Sequence, residues 1–388
     1  MASSGKKLVM SLPLKLILTQ DGASYFIRQN KKLLKFKLAD NVEEYGISMD
    51  NFSPASIQRM ILIDYISKIE ISMPEFVSSR QEIMDMSKLT VFSMLYRQFD
   101  RQVFKEIIST EVVRKHNRIN PSELLDERTK MSDAAIRSAL LHKDALIADA
   151  QKQILKPVYE RIAANDSLSP EEKNVMLLMA EKFITYLRPF CWYIILKFLR
   201  TEGIEEMFSL IRSSLLEFME KSKVAEYIAL MVMELAINSE NTNLRKEARK
   251  MFKGVMDESS VVYDPEIRQK VIAELLRKNE LVFISWKFGG GSTSIGAQGR
   301  LQITLYNKSD EFLEVKESIE AKKNANLKKK GLIDFYREMP DGEEGTDLGL
   351  FYLSYLNEAC EKVNVKFESL VNNFSKSDLT VINLTFWF

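Results

Sequence analysis

The stretch YIALMVMELAINSENTN, residues 227–243, decides how the second half of the chain is interpreted. Tyr227 to Ile237 are apolar except for Glu234, so the segment predicts a helix that is buried on most sides. Glu234 and Asn238 are four positions apart and therefore project from the same face of that helix. A carboxylate in apolar surroundings must be paired, hydrated or protonated, because leaving it unpaired is costly.

Two interpretations of this pair are open. In the first, the amide oxygen of Asn238 ligates Mg²⁺, and Glu234 orients a water or hydroxyl group near a terminal phosphate. In the second, Glu234 lies at the edge of the helix and pairs with an arginine or a lysine. The spacing E-x-x-x-N is common in helices, so the pair alone does not separate the two interpretations.

Composition is that of an ordinary globular protein and excludes several classes. The chain has 388 residues, which is long enough for two or three domains. Of these residues, 46% are hydrophobic and 28% are charged. Its 55 basic and 54 acidic residues give a net charge of +1, which removes the bulk electrostatic argument for nucleic acid. No apolar run is long enough to span a bilayer and no signal peptide is recognised, so the sequence predicts a cytoplasmic protein. Cys191 and Cys360 are far apart and are expected to be free thiols.

Hydrophobic patterning divides the chain into three predicted domains. Residues 1–75 form an N-terminal α+β module, with strands expected at LKLILTQ, ASYFIRQ, KLLKFKLA and KIEISM and a short helix near 54–65. Residues 76–221 are predicted to be helical, either a bundle that dimerises or relays a signal or a scaffold with no separate role. Residues 222–388 form the third predicted domain.

The third predicted domain alternates helices with strands. A buried helix over 224–238 and a polar helix over 244–256 precede a helix with Asp264 as its N-cap and Pro265 at its first position. LVFISWKF and RLQITLYN are then expected to form a hairpin, and KFESLVNN and LTVINLTFWF to close the domain as strands. This order predicts an α+β protein whose C-terminal part is a two-layer α/β sandwich with a mostly antiparallel sheet.

A glycine turn precedes the closing strands. In GTDLGLFYLSYL, residues 345–356, Gly345 and Gly349 flank a turn that leads into an apolar helix. Backbone N–H groups at such a helix start attract phosphate oxygens, and glycine leaves room for close approach.

The order of these motifs resembles the GHKL ATPase superfamily, and most closely the catalytic domain of histidine kinases and the related anti-sigma kinases. MELAINSE (233–240) is similar to the N box, GTDLGLFYLSYL to the second glycine box, GxGLGL, and KSDLTVINLTFWF to the terminal strands. The resemblance implies a Bergerat-type fold over 222–388 that binds ATP and Mg²⁺. It assigns Glu234 as base or water-orienting residue and Asn238 as metal ligand. The remaining nucleotide contacts it implies are Asn307 at the adenine and Gly345, Thr346, Gly349 and Leu350 at the phosphates.

The chain departs from the family pattern at two motifs. Where the family has D-x-G-x-G after the second hairpin strand, this chain has Asn307, Ser309 and Glu311. Asn307 still offers a carbonyl oxygen to the exocyclic amine of adenine, but it loses the charge-assisted part of that bond. Asp347 replaces the middle glycine of GxGLGL, which places a carboxylate beside the phosphates.

Two functional classes follow from the sequence. The first is a signalling or regulatory protein with a degenerate ATP-binding domain, a pseudokinase that works through protein partners and forms a dimer. The alternative is an active Mg-ATP-dependent kinase or ATPase of the anti-sigma or histidine-kinase type. A phosphoacceptor histidine is normally followed by an acidic residue, but His142 is followed by Lys143, and His116 lies at what resembles a helix end, so the target of such a kinase would be another protein.

Overall fold

The computed structural model describes residues 9–40, 42–129, 131–253, 264–289, 299–307, 356–374 and 379–388. The chain divides into two compact units. Unit 1 contains Met1–Met94 together with Lys223–Phe388, and unit 2 contains Leu95–Ser222.

Unit 1 is built on one antiparallel sheet. Its strand order is β2-β3-β1-β4-β5-β6-β8-β7, and every pairing between neighbours is antiparallel. The architecture is therefore α+β, as the sequence predicts. The strands are β1 (Met10–Leu18), β2 (Leu34–Lys37), β3 (Glu43–Phe52), β4 (Ile66–Met73), β5 (Val282–Gly289), β6 (Arg300–Asn307), β7 (Lys366–Phe374) and β8 (Leu379–Trp387).

The two faces of this sheet differ in chemistry. Side chains directly opposite each other on neighbouring strands share a face, so the register defines rows across the sheet. One row is apolar and fully buried, and it consists of Leu16, Ile69, Trp286, Ile303 and Leu384. The adjacent row, on the opposite face, is polar and consists of Lys15, Glu70, Ser285, Thr304 and Asn383. The apolar row belongs to the core of unit 1. Along each strand the residues on this face recur at every second position, and this period predicts the strands from the sequence.

Helices account for most of the remaining described residues. None of the helices in this described part is long and apolar enough to cross a membrane. In chain order they are α1 (Gln20–Arg28), α2 (Pro54–Leu62), α3 (Arg80–Ser109), α4 (Glu111–Ile119), α5 (Asp133–Leu140), α6 (Asp144–Ala163), α7 (Pro170–Tyr186), α8 (Pro189–Phe198), α9 (Ile204–Ser222), α10 (Val224–Met251) and α11 (Pro265–Lys278). A 3₁₀ turn at Val77–Ser79 precedes α3, and residues 356–362 are also helical.

Unit 2 is entirely helical in its described residues, as the sequence predicts for this region. Its core is aromatic: the rings of Tyr96 and Phe218 lie 4.7 Å apart and those of Phe183 and Phe218 lie 5.1 Å apart. Asp100 accepts hydrogen bonds from the backbone N–H of Arg188 at 3.0 Å and from its Nε at 2.9 Å, which fixes the start of α8.

Cys191 and Cys360 are both buried and free, which confirms the prediction that they are free thiols.

Two predictions of secondary structure are wrong. ASYFIRQ was expected to be a strand, but Gln20–Arg28 is the helix α1. The reason is local: Thr19 is an N-cap whose side chain accepts from the N–H of Gly22 at 3.2 Å. The expected break between a buried helix and a polar helix near 238–244 is also absent, since α10 runs unbroken from Val224 to Met251. The strand β3 was not anticipated.

Several other elements lie where the sequence places them. β5 and β6 form the expected hairpin, and β7 and β8 pair as the closing strands. Asp264 caps α11 by accepting from the N–H groups of Glu266 and Ile267. The N-terminal strands and the C-terminal strands belong to one sheet, because β4 pairs with β5 from Lys68↔Lys287 to Met73↔Val282. This sheet contains strands from both the first and the third predicted domains, and unit 2 begins at residue 95.

Candidate functional site

Helix α10 carries the candidate site and is held against the hairpin. It contacts β5 and β6, and its first half is buried through residues such as Met231, Val232 and Leu235. Apolar side chains on almost every side make this half a core helix of unit 1. Polar side chains on it are therefore exceptions that need partners.

Glu234 is mostly buried and lies near the guanidinium group of Arg80. Its side chain is 12% exposed, and its Oε1 lies 3.6 Å from Nη2 of Arg80 at the start of α3. Burial raises the pKa of Glu234 above its ordinary value, and attraction to Arg80 opposes part of that rise. A carboxylate with a raised pKa is a stronger proton acceptor, but here an arginine already shares its charge.

Asn238 lies one turn further along α10 and is exposed. Its amide is accessible, as a metal ligand must be. Among the described residues, no group of three or more His, Cys, Asp or Glu side chains is placed to hold a metal ion. Within the pair, Glu234 is mostly buried and Asn238 is exposed to solvent.

Asn307 lies at the end of β6 and reaches α10. Its side chain is buried, and its Nδ2 donates to the backbone carbonyl of Ser239 at 3.4 Å. Its Oδ1 is buried and has no hydrogen-bond partner among the described residues. The structure thus brings Asn307 beside the residue that follows Asn238, although the two are far apart in sequence.

The orphaned oxygen of Asn307 is the unusual feature of this arrangement. Buried acceptors are almost always paired, since an unpaired one costs about 1–3 kcal/mol. Because Nδ2 is fixed by Ser239, the amide orientation leaves Oδ1 free to accept from an N–H donor. An amine or amide group of a ligand would satisfy it.

The other predicted site residues cannot be placed. Gly345, Thr346, Gly349 and Leu350 lie outside the described residues. Of the predicted site residues that are described, Glu234 and Asn238 lie on α10, and Asn307 lies on β6, which contacts α10.

Sequence reasoning missed a buried acidic residue on α10. Glu240 is fully buried, and its Oε2 accepts from the N–H of Phe76 at 2.5 Å and from the N–H of Val77 at 3.2 Å. Its Oε1 pairs with Nη2 of Arg268 in α11, whose Nε lies 2.9 Å from Oε1 of Glu75. Burial raises the pKa of Glu240, while the Phe76 N–H and Arg268 act in the opposite direction.

The signal for Glu240 was present in the sequence. Ala236, Glu240, Asn243 and Glu247 follow the 3–4 spacing of a single helix face, and all four are buried. Because three of them are polar, the pattern predicts a break followed by a polar helix. The Glu240 cluster, formed by Glu240, Arg268, Glu75 and the N–H groups of Phe76 and Val77, ties α10 and α11 to the segment before α3.

Comparison with known proteins identifies a family without an assigned activity. The chain is 43% identical over 389 residues to an uncharacterized protein of Treponema pallidum (strain Nichols), and the match covers 100% of both chains. No solved structure matches the chain. The model of a family of unknown function, DUF8084, matches residues 5–388, and the chain therefore belongs to that family.

Proposed function

We propose that this chain is a cytoplasmic signalling or regulatory protein with a histidine-kinase-like nucleotide-binding domain that binds ATP weakly and acts through protein partners. The domain would comprise α10, the β5–β6 hairpin and the β7–β8 pair. These elements follow one another in the chain order on which the resemblance to GHKL ATPases rests, which supports the proposal, and the glycine turn of that order lies outside the described residues. The finer assignment to a Bergerat-type sandwich is part of the proposal.

The observation that carries the proposal is the unpaired Oδ1 of Asn307. The resemblance assigns this residue to the adenine base. Its acceptor is buried next to the N-box helix and has no partner in the part of the chain that the structure describes. An adenine amine donating to this oxygen would satisfy it. A neutral amide makes a weaker bond than the carboxylate usual in the family, which agrees with weak binding.

An active kinase or ATPase is the second candidate. The raised pKa of Glu234 favours it, since a general base should have a pKa close to the working pH. The ion pair with Arg80 favours the regulatory function instead, because it holds the carboxylate away from other roles.

Isothermal titration calorimetry of the full chain with a non-hydrolysable ATP analogue tests the proposal. Binding is expected with a Kd on the order of 0.1 mM, about −5.5 kcal/mol. Asn238→Ala should remove the effect of Mg²⁺ on that affinity, whereas Asn174→Ala, an exposed helical asparagine in unit 2, should not. An absence of heat at millimolar analogue, with folded protein, would refute nucleotide binding.

Asn307→Asp separates the adenine assignment from binding elsewhere. A charge-assisted bond is about twice as strong as a neutral one, so the analogue should bind about fivefold to tenfold more tightly. The free variant should lose about 1–3 kcal/mol of unfolding free energy, because a carboxylate cannot donate to Ser239 O. Asn165→Asp is the matched control, since exposed Asn165 already accepts through its side-chain oxygen. An unchanged affinity in folded Asn307→Asp would show that Asn307 does not contact the base.

A further inference from the structure

A groove opens at the β2–β3 end of the sheet in unit 1. It encloses about 790 Å³, within the range of small-molecule sites, and its lining comes from α1, α2, β2, β3 and the connection between α1 and β2. In the strand order, β1, β4 and β5 separate β3 from β6, which carries Asn307. The groove is therefore separate from the proposed nucleotide site.

The floor of the groove is the uncovered end of the core face. Ile47 pairs with Leu16 and Met49 pairs with Leu14, so both side chains share the face that carries the core row. Leu14 and Leu16 are fully buried, whereas Ile47 and Met49 are only half-buried and line the groove. The apolar face thus continues past the residues that cover it.

An aromatic wall stands beside this floor. The rings of Tyr25 and Tyr65 lie 4.9 Å apart, and Tyr25 is 42% exposed. The contact depends on Gly22, because a Cβ there would lie 2.1 Å from the carbonyl oxygen of Tyr65. The backbone of α1 therefore packs directly on the segment after α2, and the two tyrosines are held together with one face toward the groove.

The charged side chains that line the rim of the groove are all cationic. Lys31, Lys32 and Arg59 line it, and no aspartate or glutamate does. None of these three cations forms an ion pair with any residue in the described ranges. Positive charges placed together without counter-charges attract an anionic ligand and disfavour a cationic ligand.

From these features we infer that the groove binds a small organic anion, a carboxylate or phosphate head on an apolar or aromatic body. The body would lie on Ile47, Met49 and the tyrosine wall, and the head would pair with Lys31, Lys32 and Arg59. The floor accounts for apolar affinity, and the rim accounts for selection by charge. This site is independent of the proposed nucleotide site, and either can fail without the other.

Fluorescence titration of the full chain with 11-(dansylamino)undecanoic acid tests the inference. The acid is expected to bind with enhanced emission, and its methyl ester, which has the same body without the charge, should bind about tenfold more weakly. Displacement by dodecanoate, by dodecyl phosphate and by inorganic phosphate identifies the head group and the need for a body. Equal binding of acid and ester, or no saturable binding, would overturn the inference.

Charge reversal at the rim locates the site. Lys31→Glu/Lys32→Glu should weaken the acid about tenfold and leave the ester unaffected, and both lysines are exposed, so the fold should be retained. Lys152→Glu/Lys156→Glu makes the same charge change at exposed positions of α6 and should have no effect. Tyr25→Ala should weaken acid and ester alike. If the rim variant binds the acid as the wild type does, the site lies elsewhere and the inference is wrong.

Two other occupants give different results. A peptide of alternating glutamate and leucine that binds while the fluorescent acid does not would assign the groove to a protein segment. A dimer of the wild type that the rim variant abolishes, with no response to the acid, would assign it to a second copy of the chain. Either result overturns the small-anion inference.

Discussion

Truncation of Glu240 tests how strongly the Glu240 cluster stabilises unit 1. Glu240→Ala leaves the N–H of fully buried Phe76 without its acceptor and removes one partner of Arg268. Val77 is 44% exposed, so its N–H can turn to water, and Arg268 retains Glu75 at 2.9 Å. The loss is therefore dominated by one buried donor and the broken ion pair.

The expected magnitude follows from those two contributions. Glu240→Ala should lower the free energy of unfolding by about 3–5 kcal/mol in all, as expected for removing one member of a buried ion pair. The unpaired Phe76 N–H accounts for about 1–3 kcal/mol of that loss. Glu240→Gln should cost less, about 1–2 kcal/mol, because the amide oxygen can still accept from the Phe76 N–H.

Urea denaturation followed by circular dichroism measures these losses in the transition of unit 1. Glu160→Ala, an exposed glutamate in α6, is the control and should change the free energy of unfolding by no more than about 0.5 kcal/mol. If Glu240→Ala were no more destabilising than Glu160→Ala, the cluster would contribute nothing to stability.

Two further predictions concern the sheet and helix α10. Gly46→Ala should destabilise the protein by about 2–3 kcal/mol, because its Cβ would lie 2.1 Å from the carbonyl oxygen of Leu16 on the paired strand. Gly289→Ala, whose Cβ would meet nothing closer than 3.2 Å, is the control, and equal losses in thermal unfolding would contradict the steric argument. The raised pKa of Glu234 means that the folded state holds its proton to higher pH than the unfolded state, so wild-type stability should fall relative to Glu234→Gln as pH rises from 4.5 through the folded pKa. Paired urea denaturations of both proteins at pH 5 and pH 7 measure this change, and a wild type that gained stability relative to Glu234→Gln between pH 5 and pH 7 would show that the sign is wrong.

The sequence predicts the strands in which apolar residues recur at every second position. Val282, Ile284 and Trp286 in β5 and Leu301, Ile303 and Leu305 in β6 follow this period, and Asp264 with Pro265 marks the start of α11. α1 was mistaken for a strand because seven residues do not distinguish the two periods, and the deciding contact is the Thr19 cap. Local patterns were sufficient where local interactions determine the structure.

Features that depend on distant residues could not be predicted. The pairing of β4 with β5 joins residues separated by a whole helical unit, and no local pattern carries that register. The spacing of Glu240 with Ala236, Asn243 and Glu247 marks one helix face, but the partners that allow Glu240 to be buried, Phe76, Val77 and Arg268, are distant in sequence. For the site, the resemblance selects Asn307 by its position at the end of β6, but its contact with Ser239 depends on the tertiary structure.

The pairing of β4 with β5 also has a consequence during synthesis on the ribosome. β4 emerges with Ile69 and Ile71 on its core side long before residues 282–289 exist, so one hydrogen-bonding edge of the N-terminal strands stays open while unit 2 is made. Nascent chains that stop anywhere between 74 and 281 therefore carry an unsatisfied strand edge. Such fragments are expected to aggregate or to recruit chaperones, whereas the released full-length chain closes that edge with its own C-terminal half.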